Sequence, residues 1–376
     1  MKCIRMNWAV LSLIFLFLLA LAWPIYAAEN PDNTGQAAEE IWENNMRGRV
    51  LAVEDRPGTD SFFRSQWVTL EIYAGELTGE VITIENHLSD HPVYDIVVQP
   101  GDRVLLIQEV TQTGETEIYM VDYVRDRYTL WILMVFLALL ILIGKWKGLK
   151  TILTLGLTLF MIIKVLLPGM LKGYPPIPLT VGVSFVITFA TIILINGINV
   201  KSVAAITGIF GGLLAAGLVM FIAGSQVRLT GLSSEEAVML MYIPQGVNFD
   251  FRELLFAGII MGALGAVMDV GMSIASAMTE IYRVNPEVNR RQLMVSGMNV
   301  GRDIMTTMSN TLILAYTGAA LPLMLLFMAY ETSIIKILNL DLIATEIVRA
   351  LSGSIGLLLT IPLTVLVSVF LLKRSK

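Results

Sequence analysis

Between Tyr128 and Leu372 the chain repeats one pattern, in which apolar runs of about 16 to 27 residues are separated by short polar or basic turns. A helix needs about 20 apolar residues to cross the hydrocarbon layer, and lipid offers no water to satisfy an open backbone. This region is therefore restricted to membrane-spanning helices. The runs fall at 128–143, 151–167, 178–195, 202–223, 254–278, 304–329 and 346–372. Their unequal lengths suit tilted spans. Composition agrees, with 55% hydrophobic and 15% charged residues, against about a quarter charged in soluble domains.

Charge sets an orientation. Residues 29–127 hold 7 basic and 20 acidic side chains, and the remainder 19 and 11. If the N-terminal part lies outside, the inner loops and tail carry about eleven Lys and Arg, among them Lys145, Lys147, Lys150, Lys201, Arg283, Arg290, Arg291 and Lys373. The outer loops and helix ends carry about five: Lys172, Arg228, Arg252, Lys336 and Arg349. The positive-inside rule then places the β domain outside the cytoplasm and the C-terminus inside, with an odd number of spans, about seven. A second partition breaks the sixth run at Gly318 and Pro322, makes 321–340 a separate span and puts the tail outside; the charge count favours the first.

The N-terminus reads as a secretory signal peptide over residues 1–28, with Lys2 and Arg5, an apolar core from Trp8 to Ala22 and small residues at Ala27 and Ala28. The single cysteine, Cys3, precedes that core and cannot form an internal disulfide. Residues 29–45 are a polar linker. Residues 46–127 then alternate as five short strands with turns at Pro100-Gly101-Asp102 and Gly114-Glu115. The expected fold is an α-helical integral membrane protein with an N-terminal extracytoplasmic small β-barrel of OB-like type. Its acidity excludes nucleic acid as a partner, so a docking or gating module is the better expectation. His87 and His91 sit in a loop with no third ligand, so no metal site is expected.

The polar heart of the membrane part lies between Gly258 and Thr317. Gly258, Gly262, Asp269 and Ser273 recur at helical spacing on one run, and Asn299, Asp303, Thr306 and Asn310 on the next. Facing polar stripes in an apolar helix pair build either a helix contact or a solute path. Asp269 is the sharpest signal, about ten residues inside its run, where an ionised Asp costs about 2.5–3.5 kcal/mol to insert. The functional reading is a proton or cation site. The structural reading is a bond to Asn299, Arg302 or Asn310, but a less costly residue can make such a bond, which favours function. The candidate binding residues are Asp269, Asn299, Asp303, Asn310, Arg302 and Ser273. Gly208 with Gly212, and Gly258 with Gly262, are small-xxx-small pairs expected to pack helices. The outer loop 224–253 carries Ser233-Ser234-Glu235-Glu236, a capping box that starts a short helix.

Enzyme chemistry is not expected. There is no zinc-binding His-Glu-x-x-His, no nucleotide-binding glycine loop and no histidine beyond residue 127, so no cofactor is implied. Asp269 and Asp303 could form an intramembrane aspartyl protease pair, but such enzymes use Gly-x-Gly-Asp, whereas this chain reads Asn299-Val300-Gly301-Arg302-Asp303.

Several motifs together carry a resemblance. These are Gly48-Arg49-Val50, the Pro100-Gly101-Asp102 turn, the run from Met261 to Val270, Gly301-Arg302-Asp303-Ile304-Met305 and the run from Asn310 to Tyr316. The chain resembles the YibE/F-like family of bacterial membrane proteins over nearly its whole mature length, in the longer form with an outer domain. That resemblance implies a multi-pass plasma-membrane protein of permease type, without an assigned substrate or catalytic residues. It also implies a homo-oligomer or a hetero-complex with a shorter family member in the lipid bilayer. The expected function is a secondary transporter of an unidentified small solute or ion, coupled through Asp269. The alternative is a membrane scaffold or sensor whose outer domain binds a partner.

Overall fold

The structure is a computed structural model that describes residues 45–57, 64–89, 95–110, 116–243, 246–331 and 333–374. The signal sequence, most of the linker, Asp90 and His91 lie outside the described residues. The chain forms two compact units that divide between Leu133 and Met134.

The first unit is a five-stranded antiparallel sheet: β1 (Asn45–Pro57), β2 (Arg64–Ala74), β3 (Val81–Leu88), β4 (Arg103–Val110) and β5 (Thr116–Tyr123). The spatial order is β3-β2-β1-β4-β5. Alternation puts Met46, Val50, Val68, Leu70, Ile72, Val104 and Leu106 on one buried face, where Val98 joins them. Each buried aliphatic side chain contributes about 1.5–3 kcal/mol. Gly48 has its place because a Cβ there would stand 3.0 Å from Leu70 Cδ1 and 3.1 Å from Leu106 Cδ1. The sheet is a half-barrel, consistent with the small N-terminal β domain expected from sequence. Its edge strands β3 and β5 approach each other, but no ladder joins them among the described residues.

The second unit is helical. Its first helix, α1 (Asp126–Met161), starts within the first unit and passes through a π turn (Ile162–Leu166) into α2 (Leu167–Leu171). At 46 residues, a straight helix would measure about 69 Å, more than twice the hydrocarbon thickness. It is not straight. Lys145 breaks it with φ 49° and ψ −125°, and the chain folds back so tightly that a Cβ on Gly148 would overlap the Leu140 carbonyl. Then come α3 (Pro176–Asn196), α4 (Val200–Gln226), a short α5 (Glu235–Met239), α6 (Phe251–Val284) and α7 (Arg290–Ala319). The chain ends with α8 (Leu321–Ala329), α9 (Ile334–Leu338) and α10 (Asp341–Arg374). Side chains cap the starts: Asn199 for α4, Ser234 for α5, Asp250 for α6 and Asn289 for α7.

Five helices are long and apolar enough to cross a membrane, and α7 with α8 makes a sixth if that pair is one broken span. The region read as a span at 304–329 differs from a simple helix. It begins at Arg290 and bends by 58° where α7 gives way to α8, just before Pro322, whose missing N–H cannot continue the helical ladder. The nine residues of α8 rise only about 14 Å and cannot cross alone.

The centre of the bundle is α10. A Cβ on Gly208 or Gly212 of α4 would overlap the hydroxyls of Thr364 and Thr360, and one on Gly356 would meet Ala216 at 2.5 Å. On another side of α10, Gly301 and Gly297 of α7 admit Ile361 and Val365. Gly271 of α6 packs on Ile209 and lies near Thr360. Small residues thus let α10 approach three neighbours, which is how helices associate when lipid supplies no hydrophobic drive.

Candidate functional site

The site elements are α6 and α7, which run antiparallel. A Cβ on Gly297 would overlap Met278 Sδ, and one on Gly301 would stand 3.8 Å from Ile274 Cδ1. Continuing that register sets Asp269 level with Thr306. The buried side of α6 is Ala263, Val267, Val270, Ile274 and Met278, in the common core. Period 3.6 then forces the intervening residues to the opposite side.

Those intervening residues are the polar stripe. Gly258, Gly262, Asp269 and Ser273 are all exposed on the surface of the folded chain, as are Asn299, Arg302, Asp303, Thr306 and Asn310 on α7. The stripes do not face each other across a closed helix pair, as the spacing suggested. They lie side by side on one outward surface, where Tyr316 Oη reaches over Gly262 to within 3.3 Å of the position a Cβ would occupy. No hydrogen bond or ion pair joins Asp269 to Asn299, Arg302 or Asn310 among the described residues. Instead Arg302 Nη1 donates to Asn299 Oδ1 at 3.0 Å, on its own helix. Asp269 lies near the middle of a 34-residue helix, about 20 Å or more from either end.

The two glycine pairs separate. Gly208 and Gly212 are buried at the α4–α10 contact, whereas Gly258 is exposed and a Cβ there would meet nothing within 4 Å. Among the described residues Gly258 therefore packs no helix, whereas Gly262 meets the Tyr316 hydroxyl of α7.

Sequence reasoning missed the polar ridge of α10. Ser352, Gly356, Thr360, Thr364 and Ser368 recur every four residues, and their side of the helix is buried. Thr360 Oγ1 donates back to the Gly356 carbonyl at 2.8 Å, while the Thr364 and Ser368 hydroxyls have no partner among the described residues. The signal was present as a strict four-residue repeat of small residues. A second missed feature is a cavity of about 640 Å³ bounded by α7, α8, α9 and α10. Its walls are mostly apolar, including Phe327, Met328 and Ile347, with Tyr316, Thr317, Glu331 and Glu346 as polar groups. Glu346 holds Arg349 at 2.7 Å. No group of three or more His, Cys, Asp or Glu that could hold a metal occurs among the described residues.

One end of the helical unit is basic and tied together. Lys150 Nζ donates to the Ile195 carbonyl at 3.4 Å and Lys201 Nζ to Asn196 Oδ1 at 3.2 Å. Lys373 Nζ donates to the Pro286 carbonyl at 3.1 Å and lies over the Tyr282 ring. At the opposite end of α4, α6 and α10, Thr230 donates to Asp341 at 2.6 Å and Arg252 to the Leu229 carbonyl at 2.8 Å.

Two family models match the chain, the YibE/F-like protein over residues 132–374 and the YibE/F family N-terminal domain over residues 48–123. No curated protein and no solved structure matches.

Proposed function

Because the chain belongs to the YibE/F-like family of membrane proteins, we propose that it is a subunit of a multi-pass permease whose polar path runs along the outward face of α6 and α7. The observation that carries this reading is Asp269, an exposed carboxylate with no hydrogen bond or ion pair among the described residues, near the middle of a long apolar helix. Left in lipid it would cost about 2.5–3.5 kcal/mol. A wet path or a second protein surface removes that cost, and Ser273, Asn299, Asp303, Thr306 and Asn310 supply the polar walls.

The occupant of that face is a second copy of this chain. The α6–α7 register sets Arg302 about one turn from the level of Asp269, so an Arg302 side chain from a neighbouring copy can reach the carboxylate. The solute or ion then passes between subunits, with Asp269 as the coupling residue. Division of the first helical run at Lys145 and union of α7 with α8 give seven passes. The tied basic end then lies in the cytoplasm, and the β unit lies outside. The strand order, with β3 and β5 approaching, supports reading that unit as OB-like.

The test is flux in proteoliposomes carrying an internal pH dye and an imposed ion gradient. Asp269→Asn should insert and assemble like the native chain and lose proton or cation movement. Unchanged flux in the variant would sink the coupling role. A second reading, a scaffold or sensor, draws on the buried α10 ridge, which shows that small polar residues here also serve packing. It predicts no flux from either protein.

A further inference from the structure

The β unit is acidic, yet five of its seven arginines, Arg47, Arg49, Arg103, Arg125 and Arg127, stand around the β1–β4 end and the start of α1. Two are neutralised: Arg47 by Asp126 at 2.8 Å, Arg125 by Asp122 at 2.5 Å. The other three, Arg49, Arg103 and Arg127, line one hollow of about 260 Å³ with Gly101, Val124 and Tyr128. Arg49 and Arg103 are direct cross-strand partners in the β1–β4 ladder. Like charges placed opposite each other on neighbouring strands destabilise a sheet. Neither is relieved by a carboxylate within ion-pair distance among the described residues. Glu71 stands opposite Arg49 on β2 and offsets part of its charge without an ion pair, and the nearest acidic neighbours in sequence have other partners. Asp102 accepts from the Gln99 N–H at 2.8 Å and Asp126 holds Arg47. Arg103 stacks its guanidinium 5.8 Å from the Tyr73 ring centre, which orients it and leaves its N–H donors free.

We propose that this hollow binds a phosphate group. Three guanidiniums offer the forked donors that match phosphate oxygens, Tyr128 adds a hydroxyl, and the bound charge relieves the Arg49–Arg103 repulsion. The volume is below the roughly 300 Å³ at which pockets enclose whole drug-sized ligands, so the hollow holds an anionic head and leaves the rest of the molecule outside. Tyr128 and Trp131 are exposed on the adjoining turns of α1, at 77% and 67%, and aromatic residues in such positions mark the headgroup level of a membrane. The phosphate therefore comes either from an anionic lipid head or from a soluble phosphate or diphosphate. This inference stands whether or not the chain transports.

The experiment uses the full chain in two arms. In detergent, calorimetric titration with inorganic phosphate and diphosphate is compared with chloride at equal ionic strength. In nanodiscs, phosphatidylcholine alone is compared with phosphatidylcholine plus phosphatidylglycerol, and lipid carried through purification is read by native mass spectrometry. Binding in the first arm assigns a soluble anion, and retention of phosphatidylglycerol alone assigns a lipid head. Arg49→Gln and Arg103→Gln should each weaken binding about tenfold or more. In phosphate-free buffer Arg103→Gln should melt above the native protein, because a like-charge pair is removed. Arg125→Gln, the same charge change outside the hollow, should do neither. Arg49→Lys keeps the charge, secures a folded control if the glutamine variants fail, and should weaken binding by losing the fork. Absence of binding in both arms, or an equal loss in Arg125→Gln, overturns the proposal.

Discussion

Gly212 on α4 faces Thr360 on α10 so closely that a Cβ on the glycine would overlap the threonine hydroxyl oxygen. The Gly356 carbonyl lies 2.7 Å from the same position, so neither side can give way by turning a flexible side chain. Gly212→Ala should therefore cost about 1–3 kcal/mol through overpacking and lower the melting temperature of the detergent-solubilised chain. Gly258→Ala is the matched control. The space there is open within the chain, and alanine is the better helix former by up to about 1 kcal/mol. Equal losses from both substitutions would show that α4 and α10 are not the tight pair described.

If a second copy covers the α6–α7 face, cysteines placed on it should cross-link between chains. In a Cys3→Ser background, Ser273→Cys and Asn310→Cys should each give a covalent dimer in native membranes under mild oxidation. Phe221→Cys, on the 60% exposed side of α4, should not. A monomer at positions 273 and 310, or a dimer only from position 221, would place the interface elsewhere. This readout is independent of flux, so a cross-linked protein without transport would separate the assembly from its proposed use.

The fold back at Lys145 carries a cost that can be removed. A lysine at φ 49° occupies backbone space open to glycine and strained for other residues, by about 1–3 kcal/mol. Lys145→Gly should raise thermal stability by about 1 kcal/mol. Gly148→Val should have the opposite effect, because its Cβ has no room beside the Leu140 carbonyl. Limited proteolysis between Ile143 and Lys150 should report the same order.

The parts legible in the sequence and those that were not differ for physical reasons. Strand alternation around Val68-Leu70-Ile72 and the apolar runs are local patterns tied to one buried face or to lipid, so their periods could be read directly. The cap at Ser234 is local as well. The polar stripe of α6 was legible as a stripe, but period 3.6 states which residues share a face and not what that face meets. Gly258 and Gly208 sit in equivalent small-xxx-small contexts, yet one is open and the other is pressed against Thr364. Only the tertiary partner distinguishes them. The α10 ridge was overlooked because serine and threonine in an apolar run carry no charge penalty. The bend before Pro322 was foreseen as an alternative, but the shortness of α8 was not, since Leu321–Ala329 is apolar enough to read as continuous span.

The β unit offers a pH test whose sign follows from one contact. Arg125 Nη1 donates to Asp122 Oδ2, and the Tyr123 N–H donates to Asp122 Oδ1. The Arg125 bond first, and the Tyr123 amide second, hold the Asp122 carboxyl below its ordinary value, against a smaller upward push from burial. The unfolded carboxyl titrates near about 3.9. A folded value below that means the folded state releases the proton more readily, so this contact stabilises the unit at pH above the unfolded value. The contribution declines as pH falls through the folded value and is gone below it. Both side chains are largely exposed, at 44% and 65%, so solvent screening holds the effect to less than about 1 kcal/mol. Arg125→Gln should leave the melting temperature at pH 7 slightly lower and should flatten the acid side of the melting curve between about pH 5 and pH 2. The residual slope reflects the Tyr123 amide, which the substitution leaves in place. Differential scanning calorimetry of both proteins across that range checks the sign. A variant that loses stability on acidification as steeply as the native chain would mean that Arg125 does not hold Asp122 in solution.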